Sequence, residues 1–324
     1  MPNNAPEEQL VKYLTDAHSI EQQAIAQLKM APKVAGHPKL EQAFKEHLAE
    51  TEGQEKLIDQ RLSAHGESPS KVKDAVMAAG GVGFAMFATL QPDTPGKLTA
   101  HSYSYEALEQ ASYEALINVA EKVGDAETVE VARRIRDQEI AMKNRLADCF
   151  DEAVEASLEK KSPDDVGNQL NKYLADAHAI EKQALQLLEK GQGISSDAKL
   201  ASLFAEHLEE TKGHERLVQE RLTAREGRTN SLKDAALSLG ALNWGGFFAA
   251  HPDTPGKLCA FAFAFEHLEI AGYELLKRVA ERAADGHTIR MAEQILAQER
   301  EAARKVELAL DQAVESSLAL VIGS

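Results

Sequence analysis

Cysteine is scarce: Cys149 and Cys259 are the only two in 324 residues, and no CxxC pair occurs. They do not sit at equivalent places in the repeat described below. A disulfide framework or a zinc–thiolate site is therefore not expected, and a reducing, cytoplasmic setting is. Aromatics make up 5% of the chain, with a single tryptophan. The composition leans instead on Ala, Leu, Glu, Gln and Lys, which favour helices packed on helices. The ten prolines fall mostly between periodic segments. Positive charge is also short, with 36 Lys+Arg against 52 Asp+Glu and a formal net charge of −16. A surface of that sign repels phosphate backbones, so no nucleic-acid partner is expected. Membrane signals are missing too. "MPNNAPEEQL" lacks the basic and apolar regions of a signal peptide. The most apolar stretch, "AVMAAGGVGFAMFATL" at 75–90, is short for a span and rich in glycine, and reads as a buried connector.

What is present is a duplication. "YLTDAHSIEQQA" from Tyr13 returns as "YLADAHAIEKQA" from Tyr173, "PDTPGKL" from Pro92 returns from Pro252, and "DEAVEASL" from Asp151 returns as "DQAVESSL" from Asp311. The offset is 160 residues throughout. A repeat that long is a duplicated domain rather than a solenoid unit. The boundary falls in the Pro-, Gly- and charge-rich "EKKSPDDVGN" at 159–168, which gives domains 1–160 and 161–324. In the first half the periodicity predicts helices over 7–30 and 38–64. A long connection with a short apolar helix near 70–90 follows, then a helix from "TPGK" to 122. A fourth helix opens at "GDAET", with Asp125 as its cap. Two helices, a long crossover and two more helices is the four-helix pattern of ferritin-like bundles. The expected fold class is all-α, with two such bundles in tandem.

Acids interrupt the apolar stripes. A helix turns about 100° per residue, and on that projection Glu21 and Glu181 fall within the stripe of helix one. Glu109 and Glu269 fall within that of helix three, and Glu139 and Glu299 within that of helix four. Desolvating a carboxylate costs several kcal/mol, so three converging acids require protons, arginines or a metal. A dinuclear site, in which carboxylates neutralise two divalent ions, answers this most directly. Arg133, Arg134, Arg136, Arg290 and Arg300 are the arginines that could pair with the acids instead. Helix two is less regular. Glu55 and Glu215 lie in its stripe, His207 and His214 beside it and Glu210 toward one edge. Glu210 with His214, or Glu215, are the candidate ligands there. Gln54 replaces His214 in the first half, which favours the second half as the metal site. His18 and His178 precede Glu21 and Glu181 by one turn and are candidates to hydrogen-bond them. The plainer reading of His18, His47, His178 and His207 is hydrogen-bonded residues at helix interfaces. "FAFAF" at 261–265 reads as packing.

"LTDAHSIEQQ", "FKEHLAETEGQEKLID", "FEHLEIAGYELL" and "GDAETVEVARRIRDQE" resemble the four helices of the YciE/YciF-type ferritin-like proteins, over nearly all of both halves apart from the connectors. The resemblance implies an up-down four-helix bundle with a long crossover and a diiron-type site taking one acid from each helix. It also implies a role associated with bacterial stress responses. Position by position, it implies Glu21, Glu50, Glu109 and Glu139 in the first half and Glu181, Glu210, Glu269 and Glu299 in the second. Glu106 and Glu266 are further candidates, and Tyr113 and Tyr273 are implied neighbours of the site. Glu55 and Glu215 depart from the pattern, standing where an aliphatic residue is expected.

Two functions follow as expectations. One is a carboxylate-bridged dimetal protein holding two iron or manganese ions per functional half. It would use dioxygen or peroxide as a stress-associated oxidase or as a peroxide- or iron-handling protein. The other is a noncatalytic structural bundle with degenerate metal sites, suggested by Gln54 and by the lack of a histidine after Glu139 and Glu299. In either case the duplicated halves are expected to pack as an internal pseudo-dimer.

Overall fold

A computed structural model describes residues 5–67, 94–159, 161–194, 198–226 and 255–322. The short helix expected near 70–90 lies outside them. The described residues form helices and no strand. In the first half these are α1 (Ala5–Leu28), a single turn α2 (Ala31–Val34), α3 (Pro38–Ala64), α4 (Thr94–Val123), α5 (Ala126–Ala147) and α6 (Phe150–Leu158). In the second they are α7 (Pro163–Ile194), α8 (Ala198–Glu226), α9 (Pro255–Arg282) and α10 (Gly286–Ile322). Each half is a bundle in which the first helix packs on the second and third, and the fourth packs on the second and third. All four long helices therefore surround one interior.

Local chemistry sets the helix ends. α3 begins with Pro38, whose missing N–H would be unsatisfied there anyway, and the ring of His37 accepts from Lys39 N at 3.3 Å. Asp125 caps α5 by accepting from Thr128 N at 3.0 Å, as its position in "GDAET" predicts. It also receives Arg61 at 3.0 Å and His65 at 2.8 Å. Asp285 repeats this for α10, accepting from Thr288 N at 3.1 Å and pairing with Arg221 and Arg225. The end of each second helix is thereby tied to the start of the fourth.

The two halves share a core. Leu98, Phe150, Tyr173, Leu276 and Ile295 belong to one buried apolar cluster that draws on both. α9 is buried on nearly every face, because one side faces its own bundle and another packs on α4. The Phe261, Phe263 and Phe265 rings are all buried there. Contacts between the halves come in reciprocal pairs. Lys97 meets Asp176 at 3.0 Å and, one repeat on, Lys257 meets Asp16 at 2.5 Å. Asn118 donates to Asp311 at 2.9 Å, and Arg278 meets Asp151 at 3.3 Å. Ser104 donates to the carbonyl of Ala264, its own counterpart, at 2.7 Å. Ser104 and Ala264 thus bring equivalent positions of the two copies into contact with each other.

Candidate metal centres

The interior of each bundle holds the acids that the stripes predict. Glu21, Glu139, Glu181 and Glu299 are fully buried, as are Glu109 and Glu269 to within 1%. Glu106 and Glu266, one turn earlier on the third helix, are buried beside them. In the first half His47, Glu106, Glu109 and Glu139 each offer a donor atom, and these atoms lie within 4.8 Å of one another. His207, Glu266, Glu269 and Glu299 repeat the group in the second half. There a further group, Glu181, His214 and Glu299, meets the same criterion and shares Glu299 with the first.

His47 and His207 are the residues that sequence reasoning placed outside the site. His47 Nε2 lies 3.0 Å from Glu106 and 3.4 Å from Glu139. His207 Nε2 lies 3.1 Å from Glu266 and 3.4 Å from Glu299. The signal was in the repeat itself, since both halves keep this histidine whereas only one keeps His214. The other ring nitrogen of each faces Glu50 at 3.2 Å or Glu210 at 3.1 Å. Those two carboxylates are about one-third exposed and stand behind the imidazoles, not among the four clustered residues. Glu55 and Glu215 also face histidines. His178 Nε2 meets Glu215 at 2.9 Å, while His18 Nδ1 meets Asp59 at 2.9 Å and Glu55 at 3.9 Å. His18 and His178 thus serve helix-two carboxylates instead of Glu21 and Glu181. Tyr113 and Tyr273 take that place, each donating its hydroxyl to the helix-one acid.

Among the described residues no guanidinium group pairs with these buried acids. Arg133 pairs with Glu121, Arg136 with Glu114 and Asp137, and Arg300 with Glu274, all outside the clusters. Both carboxylate oxygens of Glu109 and of Glu269 lack a hydrogen-bond partner, as does one oxygen each of Glu21, Glu106, Glu181 and Glu266. The His47 and His207 Nε2 atoms approach their acids closely but without hydrogen-bond geometry. Donor atoms gathered around a common space, with their lone pairs unsatisfied, are what a cation requires.

Without a cation, protons must supply the charge. Burial pushes Glu21 and Glu181 up to about 8, against the hydrogen bonds from Tyr113 and Tyr273. Burial and the neighbouring acids hold Glu109 and Glu269 well above the usual carboxylate range. Burial opposes charge on His47 and His207 as well, but the acids facing them keep both imidazoles protonated. The fourth-helix acids differ between halves. Burial and Glu106 raise Glu139. Burial also acts on Glu299, yet the imidazoles of His207 and His214 close beside it bring it down to about 2. The cause is a single exchange: His214 Nδ1 meets Glu299 at 2.7 Å, whereas the Gln54 amide donates to Glu139.

Comparison with known proteins gives a consistent result. Over 160 residues, 48% of this chain and 96% of the relative, the sequence is 28% identical to Protein YciF of Escherichia coli (strain K12). No solved structure gives a significant match. The family model described as "Domain of unknown function (DUF892)" matches residues 5–159 and again residues 167–319. The clustered histidine and acids lie within each match, so the chain belongs to the DUF892 family and carries the family's domain twice.

Proposed function

We propose that the chain is a ferritin-like metal protein, with a carboxylate-bridged dinuclear iron or manganese site in the second half. The observation that carries this is Glu299, fully buried and shared by two adjoining groups of donors. His207, Glu266 and Glu269 would complete one ion's set, and Glu181 with His214 the other's. Glu50 and Glu210 would orient the histidines from behind, which fixes the tautomer that leaves Nε2 free as a ligand. Bound iron or manganese would supply redox chemistry toward dioxygen or peroxide, in keeping with a stress-associated oxidase or a peroxide- or iron-handling protein. Around it, Tyr273 holds a proton at Glu181, and the apolar bundle wall excludes bulk water. Both cysteines are free and buried, in keeping with a cytoplasmic setting. Among the described residues no helix is long and apolar enough to cross a membrane. The reciprocal contacts of α4 with α7 and α10, and of α9 with α1 and α6, support the reading of an internal pseudo-dimer.

A second reading applies to the first half. The Gln54 amide already occupies Glu139, and amide is a far weaker ligand than imidazole. That half fits a bundle with a degenerate site, retained for structure or for one ion on His47, Glu106, Glu109 and Glu139.

Metal analysis of the full chain, purified without chelator and loaded with iron and with manganese, tests the proposal. Binding of about two ions per chain is expected, and fewer than about one would contradict it. Glu269→Gln should abolish second-half binding. In chelator-treated protein it should instead raise stability to urea by about 1–3 kcal/mol, because it removes a buried acid that the chain must protonate in order to fold.

A further inference from the structure

A cavity of about 300 Å³ lies between the halves, and none of its lining residues belongs to either acid cluster. Its wall contains three pairs of repeat-equivalent positions: Tyr103 with Phe263, Lys143 with Ala303, and Ala147 with Glu307. Pairs of counterparts lining one space place it where equivalent positions of the two copies meet, as Ser104 and Ala264 do. Two separate identical subunits would line such a space identically from both sides. Here the sides have diverged, since Lys143 has no twin. The duplication has therefore built a one-sided pocket where symmetry would otherwise forbid one.

Lys143 is 9% exposed. Its ammonium donates to Gln110 at 2.5 Å and lies 3.2 Å from His267 Nε2. The His267 Nδ1–H donates to the carbonyl of Phe263 at 2.8 Å, so Nε2 is the acceptor. Two of three ammonium donors are thus taken by neutral groups. Among the described residues no carboxylate forms an ion pair with Lys143. Glu307, the nearest candidate on the wall, accepts from Gln110 at 3.1 Å instead. Arg278, Arg300 and Arg304 stand on the same wall with Glu274 and Glu307, and outside it Arg278 also meets Asp151 and Arg304 meets Glu301, which leaves Lys143 as the cation of the wall with no ion pair among the described residues. Glu274 is shared by Arg278 and Arg300. Glu307 and Glu106 act on Lys143 only from beyond contact, and a buried cation that no carboxylate touches, facing open volume in an otherwise acidic molecule, gains from an anion that completes it. The Phe150 and Phe263 rings on the same wall add an apolar flank, each already bearing a cation, Arg278 at 5.6 Å and Lys143 at 5.1 Å.

We infer that this cavity binds a small organic anion, a carboxylate or phosphate ester with a flat apolar body. Its charged end would meet Lys143 and the arginines, and its body would lie against Phe150 and Phe263. The volume matches the lower end of small-molecule sites. The inference does not depend on whether the acid clusters hold metal.

Ligand-observed NMR on the full chain tests it, with benzoate and phenyl phosphate as probes and benzyl alcohol as the neutral control. At least one anion should bind more tightly than the alcohol. Lys143→Met should weaken that binding by about tenfold or more, as loss of a buried charge contact does. Arg300→Gln combined with Arg304→Gln alters only half-exposed side chains and carries the same expectation if Lys143→Met does not fold. Two results would overturn the inference: no preference for either anion over the alcohol, or a smaller loss in a folded variant. Glu269→Gln, which disables the proposed metal site, should leave anion binding unchanged. A loss there would show the probes to be bound at the acid cluster.

Discussion

Gln54 and His214 occupy one position in two copies of the same bundle, and they treat the acid opposite them differently. His214 holds Glu299 ionised, whereas Gln54 leaves Glu139 raised. His214→Gln should therefore make the second half resemble the first, with metal retention falling about 10- to 100-fold in competition with a chelator. Unchanged retention would separate the histidine from the site. Protonation gives a second expectation at this scale. Glu21 and Glu181 near 8 and Glu266 near 7 stand above the ordinary 4.5, so the folded chain keeps protons that the unfolded chain has released. Stability from these groups is fully present below pH 4.5 and is lost as pH rises through their folded values. His47, His207 and His214, all raised above 6.5, act in the same direction above that pH. His101 at about 4 and His267 at about 3 oppose this only below 6.5, and Lys143 at about 8 only above 8. Urea unfolding of chelator-treated protein should therefore show lower stability at pH 8 than at pH 6.5, and a rise would contradict the assignment. The inward acids were legible in the sequence because each sits inside an apolar stripe. His47 and His207 were not, because they lie beside their stripe, and helix rotation rather than spacing turns them inward.

Helix limits were largely readable, because the chain writes them in capping residues. α3 occupies the span its pattern predicts, and Asp125 caps α5 where "GDAET" places it. α1 stops slightly early, at Leu28, where the turn leading into α2 takes over. The turn before the fourth helix shows what the repeat has lost. Gly124 has φ +80°, a conformation that favours glycine, while its counterpart Ala284 is held at φ +52°. Both turns close the same way, with Asp125 N donating to Ala120 O at 3.0 Å and Asp285 N to Ala280 O at 2.9 Å. A methyl group in the left-handed region is strained, so Ala284→Gly should stabilise the chain by about 0.5–1 kcal/mol despite glycine's greater freedom when unfolded. Matched urea titrations of the two proteins would measure it, and destabilisation would mean that the turn bears no strain.

At the scale of the whole molecule, the number of bundles was legible in the repeat, whereas the enclosure of α9 was not. The 160-residue offset announced two domains. Nothing in either stripe disclosed that α9 would be enclosed on nearly all sides, since an apolar alanine–phenylalanine helix looks the same whether one neighbour covers it or two. The structure shows that neither half encloses its own third helix alone, and opening one half would strip apolar cover from the other. Calorimetry should then record a single cooperative transition, and two resolved transitions would show the halves to be thermally independent.

The link between α6 and α7 is only a few residues long, from Glu159 to Ser162. Two unlinked copies would have to find each other in solution, and would part when scarce. Here each copy carries its mate on a leash, at a local concentration that dilution cannot lower. The melting temperature should accordingly hold steady over about a hundredfold dilution, where a two-chain assembly would lose stability by mass action.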